Sequence, residues 1–523
     1  MLAPTYTTIP PKQRVAIAAI DCGTSAMKAG LFDLKGTLIA SSSSLTPCEY
    51  SPDGRISQAP QKLLKAAFSC IKRALRAADV SPKHVASLCI TNQRATVLCV
   101  DHDGVPLSPA INWQDMRSIA EMEKFRQIVP DEKYYGITGL PINPVFTLGK
   151  LLHLRNTDPQ LFCRTPRFAL IQDFLLHGFG CREPITDQAN ASLTGLMDIH
   201  SLRWSNLLLE AAGLKETQLP IPGISGQVVG AVSREAARNC GLLAGTPLIL
   251  GAGDQQCAGV GAGIVKPGLC SITIGTAGVC FVFSEKPVFD PARRVSCCVH
   301  GMAGAWEVEG LQNAAGDSLR WAARRLTGIS SMSAAVQARI ATVPPGANGA
   351  FFAPYLAGAA APMWIPQATG VFFGLRQMHD SAAMARAVLE GVAYESRRIL
   401  DVLAELQIPV KEIRLTGGFS NIAVWNRIQA SVYGRSIQTL QTSECSLLGA
   451  AILGAVGVGI FPSVQSAVDS MVHEEVTFNP HPEDTGKYQK MYRTYVEAVE
   501  TLRQSAFFEN LRINTSQVGN KHE

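Results

Sequence analysis

One local pattern occurs twice in this chain: an apolar run, a short polar turn, and a second apolar run. The first copy is Val15–Ile20, then Asp21-Cys22-Gly23-Thr24-Ser25-Ala26-Met27-Lys28, then Ala29-Gly30-Leu31-Phe32. The second is Ser271–Ile274, then Gly275-Thr276-Ala277-Gly278, then Val279–Phe283. Each reads as strand, tight turn, strand. The first turn holds a carboxylate, a glycine, two hydroxyls and a lysine. Such a turn can bring backbone N–H groups and hydroxyls up to a phosphate while Asp21 faces a metal ion. Gly275-Thr276-Ala277-Gly278 could hold a second phosphate edge in the same way. Glycine and aspartate also build ordinary hairpin bends, so neither turn alone assigns a nucleotide. Together they suggest a duplicated fold, with one phosphate-facing hairpin in each half.

The chain is long enough for about two to four domains. Its 523 residues are 47% hydrophobic and 17% charged, which suits large buried cores. The formal charge of +5 comes without a basic run or an aromatic-interleaved basic stripe, so no nucleic-acid partner is expected. Residues 1–14 are polar and Pro-rich and do not resemble a signal peptide. The longest apolar stretches are interrupted, so no membrane partner is expected. The fourteen cysteines include no CxxC pair and no zinc spacing. They read as reduced thiols, and a cytoplasmic location is expected.

Helical spacing predicts helices over 59–79, 148–156, 168–178, 206–213, 382–406, 424–432, 446–458 and 483–506. Strands are expected at 85–90 and 96–100, around Thr91-Asn92-Gln93-Arg94, and again at 248–253 and 413–415. Residues 216–230 are rich in Pro and Gly, and the tail after Asn514 is polar. There is no GxxxxGK[ST], and no G-x-G-x-x-G opens a helix after a strand. A P-loop enzyme or a dinucleotide-binding protein is therefore not expected.

Asp254 ends an apolar strand and precedes Gln255 and Gln256. A carboxylate at a strand end can take a proton from a substrate hydroxyl during phosphoryl transfer, or it can cap the following helix. Gly417-Gly418 follows a strand and permits close approach of a flat ligand, or simply makes a strand-to-helix turn.

The order Asp21-x-Gly-Thr, Gly-Asp254-Gln, Gly-Thr276-x-Gly and Gly-Gly418-x-Ser-Asn resembles the FGGY carbohydrate kinase family, within the actin-like clan, over roughly residues 14–500. Gly370-Val-Phe-Phe-Gly374-Leu, followed by Ala387-Val-Leu-Glu390-Gly391, resembles that family's C-terminal signature. Thr147-Leu-Gly-Lys150-Leu resembles its N-terminal one, with His153 as a packing variant where the family has Trp. The resemblance implies an α/β fold of two ribonuclease-H-like (actin/hexokinase-clan) domains with a cleft between them. They would be a sugar-binding domain at 1–258 and a nucleotide-binding domain at 259–523. It implies ATP and Mg²⁺, and a possible homodimer. Asp254 would be the catalytic base, with Asp21 and Asp254 at the metal. Gly23, Thr24, Thr276, Gly316, Gly417, Gly418 and Asn421 would contact ATP.

Arg94, Trp113, Asp254 and Gln255 are the expected substrate residues. Thr91–Arg94, Asn112-Trp113-Gln-Asp115-Met-Arg117 and Asp254-Gln255 resemble glycerol kinases, but Ala95 stands where those have a glutamate. Pro354-Tyr-Leu-Ala-Gly358 and Gly370–Leu375 resemble xylulose kinases, whose Met-His pair and Glu-Arg-Thr are replaced here by Arg94-Ala95 and Ala359-Ala360-Ala361. The small Ala95 favours a pentulose or related ketose or polyol. Glycerol kinase is the alternative, and a sugar- or nucleotide-binding regulator without turnover is the alternative of another class.

Overall fold

The computed structural model describes residues 15–326, 333–508 and 510–511. The readings for residues 1–14 and for the tail after Asn514 lie outside the described residues.

Two mixed sheets carry the same topology. The first comprises β1 (Ala16–Cys22), β2 (Ala26–Phe32), β3 (Leu38–Leu45), β4 (Val85–Asn92), β5 (Val228–Ala231) and β6 (Pro247–Gly253), in the order β3-β2-β1-β4-β6-β5. β1, β2 and β3 pair antiparallel, β1, β4 and β6 parallel, and β5 closes the edge antiparallel. The second comprises β7 (Gly268–Ile274), β8 (Gly278–Ser284), β9 (Ser296–Val299), β10 (Trp306–Gln312), β11 (Val410–Thr416), β12 (Ile437–Leu440) and β13 (Glu474–Phe478). Its order is β9-β10-β8-β7-β11-β12-β13, and β7 again pairs antiparallel with β8 and parallel with β11. β13 again closes an edge antiparallel to its neighbour. Only β9, antiparallel outside β10, has no counterpart in the first sheet. The two strand–turn–strand units occupy equivalent places, β1–β2 and β7–β8, so the repeat read from sequence is a repeat of architecture.

The helices follow from strand periodicity, because alternate residues of a strand face opposite sides. On the first sheet Ala18, Ile20, Leu88 and Ile90 pack against Leu63, Ala67 and Ile71 of α1 (Pro60–Ala78). Ile17, Ala19, Cys89 and Ile249 face the other way. Further helices are α2 (Asp254–Gly261), α3 (Gly316–Arg325), α4 (Ser381–Glu405), α5 (Ala423–Tyr433), α6 (Cys445–Gly457) and α7 (Pro482–Gln504). Leu447, Leu448 and Ile452 of α6 cover that second face. On the second sheet Cys270, Ile272 and Ile274 meet α4 and α5 through Leu389, Val392 and Trp425. Its opposite face, with Leu269, Val279 and Phe281, meets Ala258 of α2 and neighbouring Ala262. Thus α2 and α6 lie between the two sheets. α6 comes from late in the chain yet caps the first sheet.

The predicted helices over 59–79, 148–156, 206–213, 382–406, 424–432, 446–458 and 483–506 form within a residue or two of their expected limits. The segment 168–178 does not: Arg167–Leu170 is a strand and the helix begins at Ile171. Arg167–Leu170 pairs with Val97–Val100, and this long-range ladder overrides local helical spacing. Within 216–230, short strands form at Ile221–Gly223 and Val228–Ala231. The fourteen cysteines are all free, and twelve are buried. Among the described residues no helix is long and apolar enough to cross a membrane.

α2 and α6 approach backbone to backbone. A Cβ on Gly449 would collide with the Cys257 carbonyl oxygen, and one on Gly261 with that of Cys445. Gly449→Ala gains up to about 1 kcal/mol of helix propensity and loses more to overpacking. We expect it to lower unfolding free energy by about 1–3 kcal/mol, read from the urea midpoint. An unchanged midpoint contradicts the crossing.

Candidate active site

The parallel strands of both sheets end, at their carboxyl ends, in the residues singled out above. β1 ends at Asp21-Cys22, β4 leads into Gln93-Arg94, and β6 leads into Asp254 at the first turn of α2. β7 leads into Gly275-Thr276 and β11 into Gly417-Gly418. Ligands of open α/β sheets bind outside such ends.

Arg94 is the centre of the first cluster. Its Nη1 and Nη2 donate to Glu309 Oε2 and Oε1 at 2.8 and 3.1 Å. Its Nε lies 3.3 Å from Asp254 Oδ1. Glu309 belongs to β10 of the second sheet, so this pair joins the two halves of the chain. The Arg94 and Glu309 side chains are only 14% and 8% exposed, and their mutual attraction raises the guanidinium's pKa despite burial. The Gln255 backbone N–H donates to the same Oδ1 of Asp254 at 2.8 Å. Among the described residues nothing donates to Asp254 Oδ2, which leaves one oxygen free to accept a proton. Burial raises the Asp254 pKa, and Arg94 opposes that rise. Gln255 lies half-buried beside it with its amide unpaired among the described residues.

Asp21 faces Asp254. Its Oδ1 is buried and has no partner. Burial, reinforced by the Asp254 charge, pushes its pKa up to about 7, and Lys28 opposes the shift. Lys28 stands opposite Asp21 in the β1–β2 register, and its Nζ bonds both oxygens of Glu444 at 2.9 and 2.8 Å. An orphaned buried carboxylate oxygen beside a second carboxylate fits a cation. Among the described residues no group of three or more His, Cys, Asp or Glu converges to hold a metal. Two carboxylates suffice for an ion that keeps waters and phosphate oxygens as its other ligands.

The two hairpin turns are built alike. Gly23 N–H donates to Ala26 O at 3.0 Å and Gly275 N–H to Ala277 O at 2.9 Å. Each glycine N–H is therefore used to close its turn. Among the described residues the next two N–H groups, of Thr24 and Ser25 and of Thr276 and Ala277, donate to nothing. They are the open donors, rather than Gly23. Trp113 lies half-buried against the first turn, and its Nε1 donates to Thr24 Oγ1 at 2.8 Å. The expected substrate residue is thus bonded to the turn itself.

The second cluster surrounds the β7–β8 turn. A Cβ on Gly316 would collide with the Gly275 carbonyl oxygen and the Phe419 ring, and Gly417 sits at φ +86° against the Ile274 carbonyl. Gly418 faces open space and Asn421 is exposed. Arg320 donates to Thr276 Oγ1 at 3.2 Å and lies 5.1 Å from the Phe419 ring centre. His153 is no ligand: its Nδ1 pairs with Glu121 at 3.3 Å.

Sequence reading missed Glu307 and Glu309. Glu307 is fully buried, accepts from Gln256 Nε2 at 2.7 Å, and is held well above the carboxylate range by burial and by Glu309. Two acids alternating in the apolar strand Trp306-Glu-Val-Glu-Gly-Leu were the available signal, since they must share a face.

These two clusters, on two sheets of one topology, define a phosphotransferase of the actin/hexokinase-like class. Residues 16–261 match the family model for the FGGY family of carbohydrate kinases, N-terminal domain, and residues 270–458 match that for its C-terminal domain. The chain is 29% identical to a gluconokinase of Bacillus subtilis over 92% of its length and 95% of the relative's. It is likewise 29% identical to a glycerol kinase of Thermococcus gammatolerans, covering 92% and 97%. The crystal structure of a xylulose kinase from Rhodospirillum rubrum is similar with a TM-score of 0.86 at 27% identity, covering 94% and 100%. The chain belongs to the FGGY family of carbohydrate kinases and is an ATP-dependent sugar kinase.

Asp21 ionises with a pKa of about 7 in the fold against about 3.8 in an unstructured chain. Between those values the fold binds the extra proton, so its unliganded stability falls as pH rises from about 4 to 7 through this group. Asp21→Asn is expected to flatten that slope in urea titrations, and an unchanged slope contradicts the shift.

Proposed function

We propose that this kinase transfers the γ-phosphate of ATP to a hydroxyl of a neutral pentulose or similar polyol, in the manner of a xylulose kinase. The observation that carries the reading is the double engagement of Arg94. Glu309 takes two of its N–H groups, and Asp254 lies 3.3 Å from its Nε as a second anion. A guanidinium has five N–H groups, so three remain for other acceptors, hydroxyl oxygens among them, while its charge is already answered twice. A substrate carboxylate would be the third anion beside one cation, at a desolvated site where unbalanced charge costs most. This argues against an aldonate. Glycerol is the second reading, because Glu309 returns to Arg94 the carboxylate that Ala95 lacks.

In this reading Asp254 Oδ2 accepts the proton of the reacting hydroxyl, and Arg94 and Gln255 hold neighbouring hydroxyls. The open N–H groups of Thr24, Ser25, Thr276 and Ala277 bind phosphate oxygens. Gly316, Gly417, Gly418 and Asn421 line the adenosine site. Gly23 contributes by shaping its turn. Asp21 and Asp254 would hold Mg²⁺, which supplies charge neutralisation on the phosphates. Little covalent chemistry is asked of the protein; positioning and charge balance supply the rate. Arg94, Trp113, Asp254 and Gln255 all precede residue 258 and the second turn follows 259, which supports a sugar-binding domain at 1–258 and a nucleotide-binding domain at 259–523. Fourteen free thiols support a reducing, cytoplasmic setting.

The test is ADP release with Mg²⁺-ATP and D-xylulose, D-ribulose, erythritol, glycerol or D-gluconate. We expect a neutral substrate to exceed D-gluconate at least tenfold in kcat/KM; D-gluconate as the best substrate contradicts the reading. Asp254→Asn should lower kcat by about 10²–10⁴-fold, the range of a general base, with ATP affinity within a few fold. Turnover at the wild-type rate removes the base assignment.

A further inference from the structure

A buried network of amides runs from Gln93 and Asn112, the neighbours of the expected sugar residues Arg94 and Trp113, to the first phosphate turn, and Gln58 bonds both of those amides and the Thr24 carbonyl. Gln58 is 1% exposed. Its Oε1 accepts from Gln93 Nε2 at 2.6 Å and from Asn112 Nδ2 at 3.1 Å. Its Nε2 donates to the carbonyl oxygens of Thr24 and Thr46, each at 2.9 Å. Both protons and both acceptor directions of the amide are therefore used. Gln93 and Asn112 also bond each other at 3.0 Å. Gln93 precedes Arg94, and Asn112 precedes Trp113. Thr24 is thus held twice, at its carbonyl by Gln58 and at its hydroxyl by Trp113.

We propose that Gln58 is a positioning residue for phosphoryl transfer: it fixes the Thr24 turn, with its open N–H groups, relative to Arg94 and Trp113. The inference rests on the reading that Thr24 faces the ATP phosphates. Gln58 touches neither substrate nor nucleotide in this arrangement. It acts through the Thr24 carbonyl, whose position sets the direction of the Thr24 and Ser25 N–H groups. A buried network with every member satisfied is rigid, and losing the Gln58 amide leaves the Thr24 carbonyl with only the weak Cys48 thiol donor at 3.9 Å and takes a donor from Thr46 O. The turn then loses its register against the sugar side, where small displacements cost large factors in rate.

The test compares Gln58→Met, which keeps chain length and removes both polar atoms, with wild type. The probe is Mg²⁺-ADP alone, titrated by calorimetry, with KM for the best sugar of the panel measured beside it. We expect ADP affinity to fall at least fivefold and kcat at least tenfold, with the sugar KM within twofold. Thermal unfolding shows whether the variant is folded. ADP affinity within twofold of wild type in the folded variant overturns the proposal. So do equal losses for ADP and sugar, which indicate general loosening. If Gln58→Met does not fold, Trp113→Phe decides: it keeps the ring, deletes the donor to Thr24 Oγ1, and should weaken ADP at least threefold. Unchanged ADP affinity there overturns the proposal. A wild type inactive on every panel sugar refutes the substrate reading alone, because the ADP titration needs no sugar.

Discussion

Arg94 to Glu309 is the contact on which the site depends. It joins the carboxyl end of β4 in the first sheet to β10 in the second, and it holds the guanidinium 3.3 Å from Asp254 Oδ1. The pair is largely removed from water. Removing one partner of such a pair typically costs about 3–5 kcal/mol, mostly because the other charge is stranded. The same contact carries the chemical argument. In the proposed reading, Arg94 with two carboxylates binds hydroxyls, whereas Arg94 with none would attract an acid. On that reading, orientation of the base, contact between the halves and selection of substrate charge meet in one side chain.

A second constraint is the crossing of α2 and α6. Asp254 is mounted on the first turn of α2, and α2 is pressed between the two sheets by α6. Gly261 and Gly449 allow the backbones to touch. The helix that carries Asp254 is consequently one of the most enclosed elements of the fold. The two hairpin turns at Gly23 and Gly275, by contrast, stand at the rims of their sheets, with Ser25 and Thr276 exposed. A half-buried Asp254 beside exposed turn residues suits the proposed reaction, in which positioning precedes charge transfer.

Much of this was legible in the sequence, for a definite physical reason. Strand–turn–strand units are local, so the repeat at Asp21–Lys28 and Gly275–Gly278 could be read from adjacent residues. Asp254, Thr24, Thr276 and Gly417 stood at strand ends, where apolar periodicity stops. What escaped depends on long-range placement. Glu309 gains its meaning only when β10 is laid against Arg94, 215 positions away. Gln58 carries no local signal, and its importance comes from four bonds to four other segments. The segment 168–178 was misread because pairing of Arg167–Leu170 with Val97–Val100 outweighs its local spacing. Ala95 suggested a missing carboxylate beside Arg94. The fold brings Glu309 to Arg94 from the other half.

The most direct measurement is a crystal structure of the enzyme with its best neutral sugar and a non-hydrolysable ATP analogue. We expect the reacting hydroxyl within hydrogen-bond distance of Asp254 Oδ2, neighbouring hydroxyls on Arg94, and the Arg94–Glu309 pair intact. A sugar bound with Glu309 displaced from Arg94, or with Asp254 out of reach of every hydroxyl, would contradict the proposed reading.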